Sequence, residues 1–568
     1  MTCSGRCCRS STTTGSKPRA SDGRSASSTS TKMATRSTAI SSGPTPNGGR
    51  PSSPHDRCVG RATSSARSTA GTTASSMSRR RFGARCTSSS ASRAPRLDST
   101  MRSRSCGHRP LFSARCLSHE GRLSRLKTRP TTGDRKMTER PRAVVVVGAG
   151  LAGLTAAATA ARAGATVTLL DAREHEGGRA RTAAVDGFLL NQGAHALYRG
   201  GPAWTILTEF GIEPQGRSPD ATNAWGVRAD GRPGILPGTV ATLVRSPLLG
   251  ARAKFELARL LAQPQQLTRT VQPGSSMKDW IERRSRNDDV RALLTVISRV
   301  ATYCGDLSGL DAAAGVAQVV RALRYGVVYL DGGWQQLVDG LRQVATAAGV
   351  VVHTGAKADA VDVHAAGVTV RMAGGDFDAE SVVLAAGGPT DADALLHGAS
   401  RDVATWAARE QPVVATALDV ALRALPQPRR RIMFGIDEPT YLSVHTPYAR
   451  LAPDRDGDVV HLLWYGDAAA DPRPKLEALF DCAQPGWRDE VVAERFGRRL
   501  VVAHGRPFPG VGLAGRPPSL VPDLPGVFVA GDWVGPEGLL ADAALASGRA
   551  AGVAAAAARD RVDQVPAA

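Results

Sequence analysis

The clearest pattern in the chain is a run of five apolar, mostly β-branched residues, Ala143–Val147, followed at once by glycines at 148, 150 and 153. Unbroken apolar character over so few positions predicts a strand buried on both faces, as in a parallel sheet. The alanine-rich stretch up to Ala163 predicts a helix, and "ATVTLLD" a second strand ending on Asp171. Further on, 329 to 363 reads as a turn, a helix with Leu337, Leu341, Val344 and Ala348 on one face, and a strand. A hairpin and a strand at 381–386 follow, and near the end a strand at 527–530 precedes a small-residue helix from about Leu540. Between these blocks Val290, Leu293, Leu294, Ile297 and Val300 form the stripe of a core-facing helix. Strands alternating with helices predict an α/β fold with a parallel sheet. No apolar run approaches 18 residues, so no membrane-spanning helix is predicted.

Composition divides the chain in two. Of 568 residues, the first 136 hold 48 Ser plus Thr and 23 Arg. They carry 27 basic and five acidic residues, a net charge of +22, whereas the remainder carries 45 and 46. All eight Trp and all seven Tyr follow residue 136, and seven of nine cysteines precede it. With so little to bury, residues 1–136 are expected to be a disordered segment. Its charge suits phosphate neutralisation, but it has no interleaved aromatics, and no nucleic-acid partner is expected. "SRRRF" at 78–82 is followed by no apolar stretch, which argues against an export signal. The simplest reading places the true start at Met137. Two cysteines in the remaining residues, Cys304 and Cys482, make no disulfide framework and no metal-ligand spacing. A cytoplasmic protein is expected, with a peripheral membrane contact left open.

The glycines carry the first chemistry. In Gly148-x-Gly150-x-x-Gly153 the first allows the tight turn, the second lets backbone approach a pyrophosphate, and the third lets helix and strand pack closely. The helix N-terminus, through Leu151 and Ala152, points its partial positive charge at the phosphates. Asp171 stands where an acid hydrogen-bonds the ribose hydroxyls. A dinucleotide site follows; which dinucleotide does not.

The next residues separate the alternatives. "DAREHEGGRARTA" (171–183) resembles the second signature of the flavin-containing amine oxidase and phytoene desaturase superfamily, which includes the protoporphyrinogen oxidase-like proteins. Gly177 and Gly178 let the loop fold back over the pyrophosphate, and Arg173 and Arg179 bring cations to it. "LPGVFVAGDWVGPEGLLADAALASGRAA", starting at Leu524, resembles the unit that closes the cofactor site in that superfamily. There Gly531 and Asp532 would meet the ribityl–pyrophosphate region. The helix beginning near Leu540 would face the flavin pyrimidine, where negative charge grows on reduction. The middle segment points to Ala358 beside the adenine, although ordinary sheet packing explains it nearly as well.

The resemblance implies a doubly wound Rossmann-type FAD-binding domain (137–215, 326–389 and 506–560) with an inserted α+β substrate domain (216–325 and 390–505). It implies non-covalent FAD and hydride transfer from a substrate carbon to flavin N5, with catalytic residues that cannot be read off as a triad could. Amine oxidases of the superfamily place a lysine on a substrate-domain strand. Only Lys254, Lys278, Lys357 and Lys475 follow Met137, and none lies between 390 and 470. No cysteine follows Cys482 to attach a flavin. Both absences count against an amine substrate, and a small hydrophobic one, polyene or isoprenoid, is the leading expectation. An amine or protoporphyrinogen oxidase of the same fold using oxygen is the second alternative, and a prenyl-protein carrier, which the intact flavin signatures disfavour, the third. Trp225, Trp280, Tyr303, Tyr325, Trp334, Tyr441, Trp464, Tyr465 and Trp487 are divided between core packing and a cavity over the flavin. His195, in "NQGAHAL", falls where the superfamily's chain passes the flavin, and a structural role competes. His353, His445 and His461 receive no role. Electron acceptor and oligomeric state are not legible.

Overall fold

The computed structural model describes residues 141–557. The Ser/Thr/Arg-rich segment and everything expected of it lie outside the described residues. Five parallel strands form the first sheet, in the order Val351–His353, Thr166–Leu170, Ala143–Val147, Ser381–Leu384 and Val527–Val529. The strand that opens the glycine turn is thus central, with Val144–Val147 paired on both sides.

Alternation of side chains along these strands divides the core in two. Val144, Val146, Leu169, Val383 and Phe528 face the helices Leu151–Arg162, Gln335–Ala347 and Ala541–Ala557. Val145, Val147, Leu170, Val382, Leu384, Val527 and Val529 face the other way. They meet an antiparallel meander, Ala358–His364, Gly367–Met372 and Phe377–Ala379, and the short helices Pro389–Leu395 and Arg401–Ala408. The strand-and-helix unit is α/β as expected, with a β layer closing its second face. The close approach of helix and strand is explicit at Gly153, where a Cβ would stand 1.8 Å from the Gly148 carbonyl oxygen. Gly148 itself has φ +104° and lies against the Ala385 backbone, which only glycine permits.

The second region is a seven-stranded, mainly antiparallel sheet. Its order is Val491–Ala503, Val413–Leu422, Asp458–Tyr465, Thr440–Val444, Ile432–Gly435, Ala224–Val227 and Pro233–Ile235. Leu418, Val420 and Leu422 face the helix Arg473–Ala483, along with Leu442, Val444, Val460 and Leu462. The other face carries Ala417, Tyr441, Leu463 and Tyr465 toward Ala194 of the glycine-loop unit. Beside the sheet, the helices Ala251–Leu261, Met277–Arg284, Asp288–Thr302 and Ala312–Tyr325 form their own core around Trp280. Val290, Leu293 and Leu294 of the expected stripe are buried in it. Among the described residues no helix is long and apolar enough to cross a membrane, and Cys304 and Cys482 are both free thiols.

Candidate functional site

The glycine turn leads from the central strand into the helix Leu151–Arg162, whose N-cap is Gly150 with no side-chain cap. Its first N–H groups therefore remain available as donors, buried at a helix N-terminus. A Cβ on Gly150 would meet nothing within 4 Å, and one on Gly178 would meet only the Gly150 Cα at 3.8 Å. Gly150 and Gly177 pair as a short parallel bridge, and the Gly177 amide donates to the Ala149 carbonyl at 2.9 Å. Two chain segments thus approach each other through glycines only, with open room above both. The contrast with Gly153, which has no room at all, separates a glycine kept for packing from one that leaves space for a ligand.

Asp171 closes the second strand. Its carboxylate accepts from the Ala149 amide at 2.7 Å and the Arg173 amide at 2.8 Å, tying strand end to glycine loop. Its carbonyl accepts from the Ala356 amide, and the Arg173 carbonyl from Gly355. Ala358 lies two residues beyond that junction. It is buried against the parallel sheet at a register shift in its hairpin, beside the acid but in the core. The Arg173 side chain is exposed.

Arg179 and Asp532, 353 positions apart, meet at 2.6 Å. The carboxylate is buried and also accepts from the His504 amide at 2.9 Å, while Arg179 donates to the Val502 carbonyl. Gly531 is pinned to the C-terminal helix through both its amide and carbonyl by the Ser547 hydroxyl. Leu540 stands immediately before that helix with φ +57°, a left-handed conformation that costs a non-glycine residue about 1–2 kcal/mol. Arg516 donates to the Gly538 and Gly505 carbonyls, and burial lowers its guanidinium pKa to about 10, an effect that Asp532 offsets in part. The two halves of the expected cofactor signature, 148–179 and 531–540, are therefore one place in the fold.

Between the glycine-loop unit and the seven-stranded sheet runs a seam of tyrosines and histidines. Tyr303 donates to the Ala194 carbonyl at 3.0 Å, and the Tyr329 and Tyr441 hydroxyls pair at 3.0 Å. Of the expected aromatics, Tyr303, Tyr441 and Tyr465 belong to this seam, and Trp334 packs edge-on to His195 at 4.9 Å. Trp280 and Trp487 are core, and Tyr325 is exposed. His195 Nδ1 donates to the Gly193 carbonyl at 3.0 Å, because a carbonyl can only accept. That tautomer leaves Nε2 as an acceptor. Burial lowers the His195 pKa, so the ring stays neutral.

Sequence reasoning missed a polar row across this sheet. Strand register sets Asp419 opposite both His461 and Arg495, and His461 opposite Ser443. Asp419 is 2% exposed and accepts from His461 Nδ1 at 2.7 Å, from Arg495 at 2.7 Å and from the Gly193 amide at 3.2 Å. Burial alone would raise the Asp419 carboxyl, but His461 and Arg495 outweigh it and hold it below its ordinary range. His445 pairs with Ser443 at 2.9 Å and stacks on Tyr329, and burial lowers its pKa well below the ordinary value. The row clamps the Gly193 loop from the antiparallel sheet. The one signal in the sequence was a lone acid in "VVATALDVAL" and a lone His in "DVVHLLWY". Among the described residues no group of His, Cys, Asp or Glu could hold a metal ion.

Residues 151–413 match the family model for flavin containing amine oxidoreductases. A flavin-containing monoamine oxidase of Mycobacterium tuberculosis is 29% identical over 259 residues, 43% of this chain and 56% of the relative. A 4,4'-diaponeurosporene oxygenase of Staphylococcus aureus is 24% identical over 277 residues, 41% of this chain and 53% of the relative. The chain therefore spans about half the length of these curated relatives. Among solved structures, an oxidoreductase from Methanosarcina mazei superimposes with a TM-score of 0.57 at 19% identity, covering 72% of this chain and 98% of that one. At that identity the likeness speaks for the fold alone. The glycine turn, the G-G-R loop and the C-terminal strand–helix unit meet at one place, and over residues 151–413 the chain carries the pattern of the flavin containing amine oxidoreductases.

Proposed function

We propose that this chain is an FAD-dependent oxidoreductase that removes hydride from a carbon of a hydrophobic substrate. The observation that carries the reading is the convergence on one site of the open glycines Gly150 and Gly178, the ribose-side acid Asp171 and the Arg179–Asp532 pair. The uncapped helix N-terminus at Leu151–Gly153 would take the pyrophosphate, with Arg179 as its fixed cation. Asp532 would then exchange its Arg179 contact for ribityl hydroxyls. The N-terminus of the helix after Leu540 would face the pyrimidine. The cofactor, when bound, supplies the hydride-accepting chemistry.

What remains falls to the protein: to seat the substrate, exclude water and take the second hydrogen, which leaves as a proton. The tyrosine seam supplies an apolar wall with few polar atoms, as suits a polyene or isoprenoid. His195 Nε2, unprotonated in the tautomer fixed by Gly193, would accept the proton that leaves the substrate. The diaponeurosporene oxygenase relative supports a hydrocarbon substrate. The monoamine oxidase relative favours an amine instead, yet Lys278, Lys357 and Lys475 have largely exposed side chains, and Lys254 donates to the Val244 carbonyl on the outer helices.

The test is the visible absorption spectrum of the purified chain. A flavin spectrum that disappears on denaturation and filtration supports the reading, and a folded colourless protein refutes it. Anaerobic bleaching by a polyene but not by primary amines would select the hydrophobic substrate.

A further inference from the structure

Of the eight large apolar side chains that stand exposed among the described residues, three fall within 16 positions: Val240, Val244 and Phe255, at 80%, 66% and 75% exposure. They sit on two consecutive helices, Val240–Arg245 and Ala251–Leu261, that a 2.7 Å bond from Lys254 Nζ to the Val244 carbonyl ties together. Val240 and Val244 are one helical turn apart and share a face, and Phe255 shares its face with Arg252 and Arg259. The opposite face of the second helix, Ala253, Leu257 and Leu260, is buried in the helical core. Nothing in that core needs the outer apolar groups.

The surrounding charge is one-sided. From 239 to 272 there are five basic residues and one acid, Glu256, although the chain beyond residue 136 is balanced overall. Arg245, Arg252, Arg259, Arg269 and Arg284 make no ion pair with any described residue. A recess of about 510 Å³ opens beside Phe255's helix, lined by Arg259, Arg269 and Arg284 with Gln263 and Gln266. The Arg284 Nε in its wall is buried and has no hydrogen-bond partner.

We propose that this pair of helices docks the protein on an anionic lipid bilayer. Val240, Val244 and Phe255 enter the acyl boundary, and the arginine-lined recess receives a lipid phosphate. An apolar tip ringed by unpaired cations fits the boundary between headgroups and acyl chains, where one part of the surface must be dry and its rim must meet negative charge. A nucleic-acid backbone would use the cations and leave the apolar tip in water. The inference does not depend on the flavin reading, because no residue of the patch belongs to the cofactor site.

Sedimentation of the full chain with vesicles tests it, using phosphatidylcholine alone or mixed with phosphatidylglycerol, at low and at high salt. The basic first 136 residues would add a binding component that salt releases, so the salt-resistant fraction is the informative one. The wild type is expected to bind the anionic vesicles and keep a salt-resistant fraction. V240S/V244S/F255S should lower that fraction roughly tenfold or more while its circular dichroism and melting temperature stay unchanged. R252Q/R259Q/R269Q should lose the preference for anionic over neutral vesicles. Three results would overturn the proposal: a wild type that stays in the supernatant, a serine variant that binds like wild type at high salt, or displacement of the wild type by excess inorganic phosphate. The flavin spectrum, read on the same samples, reports separately on the proposed function.

Discussion

In the parallel sheet, the groups that would hold a dinucleotide are backbone amides and glycines at one turn, brought together by a few dozen consecutive residues. In the antiparallel sheet, the buried polar groups are side chains from four strands, Ser443, His461, Asp419 and Arg495, aligned by register. The first arrangement is local, and each glycine has its own steric reason. The second is collective: Asp419 is satisfied only because three other segments deliver donors to it. A ligand site assembled from backbone loses its ligand when atoms are added, whereas a clamp assembled from buried charge fails when atoms are removed.

That contrast can be broken at either sheet. Gly153→Ala should be the most damaging change, costing more than about 4 kcal/mol or abolishing folding, because its Cβ meets a backbone oxygen that cannot move aside; thermal melting of the expressed protein reads it. Asp419→Ala comes next, at about 3–5 kcal/mol, since it strands a buried His461 and Arg495 together. If urea unfolding shows less than about 1 kcal/mol, the polar row is not a structural clamp. Gly150→Ala sharpens the comparison. It should leave the melting temperature of flavin-free protein unchanged, because its Cβ meets nothing, yet weaken FAD binding roughly a hundredfold, about 2.7 kcal/mol by titration. Arg179→Met should weaken FAD by about tenfold, a smaller loss because the guanidinium is partly exposed and screened.

The smallest effect is in pH. His445 and His195 are held neutral by burial, with pKa values below the ordinary 6.5. Above that pH both folded and unfolded chains hold these rings neutral, so the rings contribute nothing. As pH falls below it, the unfolded chain takes up protons that the folded one refuses, and stability declines. His445→Phe should remove on the order of 1 kcal/mol of that decline, seen as a flatter melting temperature between pH 6.5 and 5.

How much of this was legible depends on range in the chain. The strand Ala143–Val147, the glycine turn, Asp171 and the G-G-R loop are set by nearest neighbours, where steric rules act over a few residues. Arg179 and Asp532 were legible as two separate signatures, but their 2.6 Å contact was not. His461 and His445 looked featureless because their partner, Asp419, sits on another strand. A one-residue slip in register would have turned Asp419 to the opposite face, toward the helix Arg473–Ala483. The aromatic residues divided for the same reason: Trp280 and Tyr441 differ in which face of which layer they occupy, not in local pattern.

By itself, the sequence determined the parallel α/β unit and the dinucleotide turn, because glycine sterics and apolar alternation are short-range; the flavin family entered only through the resemblance of the G-G-R loop and the C-terminal unit. Only the tertiary structure decided which glycines stand open and which are closed. It also decided that His195 turns its Nδ1 to the Gly193 carbonyl, that a buried carboxylate clamps the loop beneath it, and that Val240, Val244 and Phe255 face outward among unpaired arginines. Burial, register and exposure are properties of what surrounds a residue, and those surroundings come from segments hundreds of positions away.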